Sequence, residues 1–197
     1  MKFISDLLMT ALYTVFIQNL VLSSGLGMSE AIRVSTRPGT FGKFAVMISG
    51  FSVITSAVCS LIDNVPAVEN ATYAVRAAIY GGVLAAVYLV QAVFMRFVLK
   101  ADSKLLGTLG IAALNTLVLA IPYINNSAAY SFAGSIGSGI GAGIAFVLAA
   151  ALISQGSRIL AENDEIPEIF KGTPAMFLYV AMLSLAFAGF TDTNLFA

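Results

Sequence analysis

The sequence predicts an all-α membrane protein. It expects six transmembrane helices in two inverted three-helix repeats, with spans one and four each broken into half-helices. Three observations carry this. Apolar residues make up 59% of the chain and charged residues only 10%, a balance outside the range of soluble domains. Six stretches, 7–29, 44–62, 77–95, 105–124, 129–157 and 172–191, contain no Asp, Glu, Lys or Arg. Finally, Gln18-Asn19-Leu20-Val21-Leu22 recurs 97 residues later as Asn115-Thr116-Leu117-Val118-Leu119, and Leu8 and Leu12 recur at the same offset as Leu105 and Leu109.

The first stretch holds the polar pair Gln18-Asn19 inside an apolar run. Carboxamides are costly at membrane depth unless hydrogen-bonded, so the pair predicts a helix break. The N-terminus does not read as a signal peptide, because Lys2 is followed by Asp6 and no small-residue cleavage site follows the apolar run. The second and third stretches are just long enough, at about 1.5 Å per residue, for a hydrocarbon core of about 30 Å. The third contains Gln91, expected to bond between helices. The fourth repeats the break at Asn115-Thr116. Only Asn125-Asn126-Ser127 separates the fourth from the fifth, and a turn is expected there after Pro122. The fifth carries Gly137, Gly139, Gly141 and Gly143. The pairs Gly137/Gly141 and Gly139/Gly143 have the small-xxx-small spacing that lets helices approach closely, either inside the chain or between subunits. All five prolines (Pro38, Pro66, Pro122, Pro167 and Pro174) are expected in connections or near span ends.

Charge sets the orientation. Arg33, Arg37, Lys43, Arg96, Lys100, Lys104, Arg158 and Lys171 fall on one side, Lys2 and Arg76 on the other. The richer side is expected in the cytoplasm, which puts both termini outside in the inner (plasma) membrane. Three spans per repeat is an odd number, so the halves, about 1–100 and 101–197 of a single integral domain, are expected to be inverted. The connection 158–171 is the most polar segment, read as a solvated loop or a docking edge for a soluble partner. Asp63, Glu69 and Asp192 lie at outer span ends, where they are hydrated or draw cations to a vestibule.

Residue chemistry excludes much. The chain has one cysteine, Cys59, and no histidine, so no intrachain disulfide or multi-thiolate site can form and the commonest general base is missing. Cys59 reads as a packing residue. Formal net charge is zero, with nothing to favour nucleic acid. Asn70-Ala71-Thr72 matches the glycosylation triplet, as three residues often do by chance. No Ser-Gly-Ala-Thr flavin-attachment sequence and no dinucleotide fingerprint after a strand occurs. Gln18, Asn19, Asn115 and Thr116 have two open roles. They can coordinate a desolvated cation with freed carbonyls, or cap the half-helices.

Several blocks in order resemble the small six-span membrane subunits of the Rnf and Nqr ion-translocating oxidoreductases. Gln18-Asn19-Leu20-Val21-Leu22, Gly25-Leu26-Gly27 and Val34-Ser35 are similar to that family's first-span block. Cys59-Ser60-Leu61-Ile62-Asp63 closes the second span in a similar way. Ile166-Pro167-Glu168-Ile169-Phe170-Lys171-Gly172 resembles Val-Pro-x-x-Phe-Arg-Gly, and Ser184-Leu185-Ala186-Phe187-Ala188-Gly189-Phe190 resembles Ser-Leu-Ala-Phe-x-Gly-Phe. With outward termini the likeness is to the A-type subunit of Rnf, equivalent to the E-type subunit of Nqr.

The resemblance implies a subunit that is not catalytic alone. It implies a homologous partner of inverted topology, further Rnf/Nqr-type subunits, and electron transfer coupled to movement of Na⁺ or H⁺. It also implies two cysteines that, with two from the partner, hold an iron–sulfur centre. Here Ser29 and Thr116 stand at those positions. Hydroxyls are poor substitutes for soft thiolates, so no cofactor is expected on this chain, and Ser29 and Thr116 are expected to meet across the symmetry axis. A standalone small-solute or vitamin transporter component, and a cluster-free structural paralogue, are the alternatives.

Overall fold

The computed structural model describes residues 2–36 and 38–191; Arg37 and Asp192, used above, lie outside them. The described residues form helices and connections without strands. In chain order they are α1 (Lys2–Phe16), α2 (Met28–Ser35), α3 (Pro38–Asp63), the single turn α4 (Pro66–Glu69), α5 (Tyr73–Phe97), α6 (Ser103–Ala113), α7 (Thr116–Ser127), α8 (Phe132–Glu162), a 3₁₀ turn (Glu168–Phe170) and α9 (Thr173–Thr191). Five helical stretches are long and apolar enough to cross a bilayer: Phe41–Asp63, Tyr73–Phe97, Ser103–Ser127, Phe132–Glu162 and Thr173–Phe190. The α1–α2 segment precedes them. Neither of its pieces is long enough to span alone, because the apolar run is interrupted over residues 17–27.

The same series occurs twice: a broken segment, a long helix, then an outer helix. The long helices α3 and α8 pack against each other at the centre. Each broken segment packs on the long helix of the other half, α1 and α2 on α8, α6 and α7 on α3. This exchange welds the halves into one core of Leu22, Phe44, Ile48, Phe51, Leu117, Ile121, Phe146 and Ile153, all at most 2% exposed. Phe44 and Phe146 meet across the central pair with ring centroids 6.1 Å apart. By contrast, α5 and α9 turn large apolar side chains outward, among them Val90, Phe97, Met182 and Leu185, the arrangement expected where lipid or another subunit is the neighbour.

Helix ends follow the capping rules. Asp102 caps α6 by accepting from Leu105 N at 2.9 Å, and Ser131 caps α8 by accepting from Gly134 N at 3.1 Å. Pro66 occupies the first turn of α4, where a missing N–H costs nothing. Two expectations change. Pro122 lies buried inside α7, and Asn125-Asn126-Ser127 are helical; the turn falls at 128–131. Asn125 is drawn into the helix by a buried bond from its amide to Ser56 Oγ, and buried pairing outweighs its preference for turns.

The α8 glycines settle on internal packing. Gly137 and Gly141 face α1, and Gly139 and Gly143 face α3. A Cβ at Gly139 would stand 2.8 Å from the Ser52 carbonyl oxygen, and one at Gly141 2.6 Å from that of Ala11. The two spaced pairs therefore serve opposite faces of one helix, and each admits a neighbouring backbone.

Candidate functional site: two helix breaks that meet

The first break is held by Asn19, which is fully buried. Its Nδ2 donates to Val15 O at 3.0 Å, satisfying a carbonyl orphaned at the end of α1, and its Oδ1 accepts from Leu22 N at 3.1 Å. Ser23 Oγ donates back to Asn19 O at 2.6 Å. Leu26 N reaches Leu20 O at 3.0 Å. Backbone groups released by the break are thus taken up locally, as a lipid surrounding requires. Gly25 (φ +70°) and Gly27 (φ +76°) turn the chain into α2 through the left-handed region, which costs glycine nothing.

The second break is shorter. Asn115, 2% exposed, accepts from Leu117 N at 2.8 Å and caps α7, while its Nδ2 has no partner among the described residues. The breaks then join directly. Gly27 N donates to Thr116 Oγ1 at 2.9 Å, and a Cβ on Gly27 would stand 2.8 Å from Asn115 Oδ1. Gly27 fits here because it has no side chain, and its backbone N–H caps one half against the other.

Asn19, Asn115 and Thr116 therefore act as caps in this structure. Gln18 is half-buried, and its side chain has no hydrogen bond among the described residues. The expected meeting of Ser29 with Thr116 is not formed as a hydrogen bond. The Thr116 hydroxyl accepts instead from Gly27 N–H, two residues before Ser29, and Ser29 and Thr116 are both exposed. Leu114, at the break itself, is 74% exposed, so the junction opens onto a free face. Gln91 does not make its expected interhelical bond; its Nε2 is buried without a partner among the described residues. Cys59 is buried on α3, as expected of a packing residue.

One feature of the core escaped the sequence reading. Ser52, Thr55, Ser56, Cys59, Ser60 and Asp63 recur at helical spacing along α3. Ser135 and Ser138 recur likewise on α8, where both are buried. Ser56 Oγ donates to Ser135 O, which ties the two stripes together.

The Rnf-Nqr family profile, described as "Rnf-Nqr subunit, membrane protein", matches residues 7–193. Relatives extend over nearly the whole length. The A-type subunit of the Na⁺-translocating ferredoxin:NAD⁺ oxidoreductase complex of Acetobacterium woodii is 28% identical over 185 residues, covering 92% of this chain and 94% of that one. The A-type subunit of an ion-translocating oxidoreductase complex of Colwellia psychrerythraea is 30% identical, covering 95% and 97%. The E-type subunit of the Na⁺-translocating NADH-quinone reductase of Neisseria meningitidis is 26% identical, covering 92% and 95%.

Proposed function

Because the chain belongs to the Rnf-Nqr family of membrane subunits, we propose that it is one membrane half of an ion-translocating oxidoreductase complex. It pairs with a homologous subunit of opposite orientation and carries no redox centre of its own. The observation that supports this most is the junction of two helix breaks at Gly27 and Thr116, opening onto an exposed face that includes Ser29 and Leu114. Broken helices put backbone ends where a polar species can be handled inside lipid. An exposed face at a packed junction is a surface for a second chain. With both termini outside, the inverted partner would present its own breaks to this face, in keeping with relatives that are complex subunits.

The residues present do not fit the family's iron–sulfur centre. Such centres are held chiefly by thiolates. Here Thr116 Oγ1 is occupied by the Gly27 N–H, and the sequence's one thiol, Cys59, is buried on α3, outside both breaks. No electron step is routed through this chain; its role is to shape the path of Na⁺ or H⁺ beside electron-carrying subunits.

Affinity capture of the tagged chain from its own membranes, in mild detergent, tests this. Recovery of a homologous membrane chain together with flavin-bearing and ferredoxin-like subunits is expected. Recovery alone, or with a nucleotide-hydrolysing pair, overturns it. Stoichiometric iron in the isolated chain overturns the cluster-free part.

A further inference from the structure

We propose that the polar cavity at the Asp63 end of the bundle binds a small monovalent cation. This deepens the ion-translocating reading above and rests on it. The cavity holds about 140 Å³ and is lined by Ser60, Asp63, Asn64, Asn125, Ser131 and Ser135 among others. A water molecule's share of the liquid is about 30 Å³, so there is room for one ion and a few waters.

Asn125 gives the cavity its direction. The residue is only 4% exposed. Its Nδ2 donates to Ser56 Oγ, and Ser56 Oγ in turn donates to Ser135 O. That chain fixes the amide. Reversed, its oxygen would face a hydroxyl whose proton is already committed, and its NH₂ would be orphaned instead. Oδ1 is thus left buried without a partner among the described residues, in a residue that lines the cavity. A buried acceptor without a donor calls for a ligand or ordered water.

The donor set matches an alkali cation. It offers an amide oxygen, serine hydroxyls and one carboxylate, all hard oxygen ligands. Asp63 supplies a single negative charge, held in place by Tyr80 OH at 2.5 Å. Divalent ions generally recruit more carboxylates. The nearby Arg76 donates to Asn126 Oδ1 and to the carbonyls of Val68 and Glu69, neutral acceptors that leave its positive charge in place to disfavour a divalent ion further. Asp6 accepts from Ser131 Oγ at 3.3 Å beside the mouth and adds attraction there.

Beyond the cavity the polar stripe continues along α3. Thr55 Oγ1 and Ser52 Oγ on it are buried and without partners among the described residues. Orphan polar atoms in an apolar bundle are costly, and of those near this end Asn125 Oδ1 belongs to a residue that lines the cavity.

The test is equilibrium binding of ²²Na⁺ to the purified full chain in detergent, for wild type, Asn125→Leu and Asp63→Asn. Saturable binding to wild type is expected, at least about tenfold weaker in Asn125→Leu and likewise in Asp63→Asn, which removes the one carboxylate and keeps an acceptor for Tyr80 OH. If Asn125→Leu does not fold, the loss in Asp63→Asn decides. No saturable binding to wild type, or unchanged affinity in the variants that fold, overturns the proposal. Co-purifying subunits are identified separately by capture of each variant. Sodium binding without redox partners would sink the complex reading and leave the site standing; redox partners without sodium binding would do the reverse.

Discussion

Gly27 joins the halves of the molecule with its backbone alone. Its φ of +76° lies in the left-handed region, and a Cβ would collide with Asn115 Oδ1. Gly27→Ala adds left-handed strain of about 1–2 kcal/mol to that collision, so a clearly lowered Tm in detergent is expected. Thr116→Val keeps the side-chain shape and removes the acceptor. The buried Gly27 N–H is then unpaired, at a cost of about 1–3 kcal/mol, whereas Thr116→Ser retains the bond and should unfold near wild type. A Thr116→Val chain as stable as wild type would show that the bond between the breaks contributes nothing. The asparagines and Thr116 were legible in sequence because a repeated polar pair inside an apolar run is costly enough to need a reason. Gly27 was not legible as a contact, since its partner lies 89 residues away and a glycine carries no chemistry to mark it.

At the scale of elements, α8 is the axle. Its glycines are tight against the backbones of α1 and α3, where a methyl group has no space. Gly139→Ala and Gly141→Ala should each destabilise by about 1–3 kcal/mol through overpacking. Gly81→Ala and Gly107→Ala are the controls: both sit in helices with nothing within 4 Å of the added methyl. They should be neutral, or stabilising by up to about 1 kcal/mol from helix propensity. Parallel Tm measurements that rank all four alike would contradict the packing account. The sequence showed the spacing but left open whether it served internal or subunit packing, since both use the same pattern. The serine and threonine stripe on α3 was hidden for a different reason. Hydroxyls carry no charge, so a charge-free span takes in Ser52, Thr55 and Ser56 as if they were apolar. Their helical periodicity was the available signal. The turn after α7 was misplaced because Asn125 reads locally as a turn former, and the buried partner that keeps it helical is 69 residues distant.

The whole molecule combines two half-folds whose broken segments are exchanged onto one central helix pair. That exchange makes orientation a property of the bundle: neither half can turn over without unpacking α3 from α8. Charge should then decide the sense of insertion. The end bearing Lys43, Lys104 and the 158–171 connection is cation-rich, and the end bearing Lys2 and Arg76 is cation-poor. In the latter end, Arg76 pins α4 through Val68 O at 3.1 Å and Glu69 O at 2.9 Å, so the charge is locked into the fold. In the former, Lys171 pairs with Asp164 at 3.7 Å and Glu168 at 3.5 Å while those acids stay exposed; such pairs contribute little, about 0–1 kcal/mol each. The topology is therefore testable in a Cys59→Ser background carrying one new thiol at a time. Glu165→Cys, exposed in the 158–171 connection, should react with a membrane-impermeant maleimide only after intact cells are opened. Asn64→Cys, exposed just beyond α3, should react from outside. The opposite pattern would reverse the insertion and put the Asp63 cavity on the cytoplasmic side.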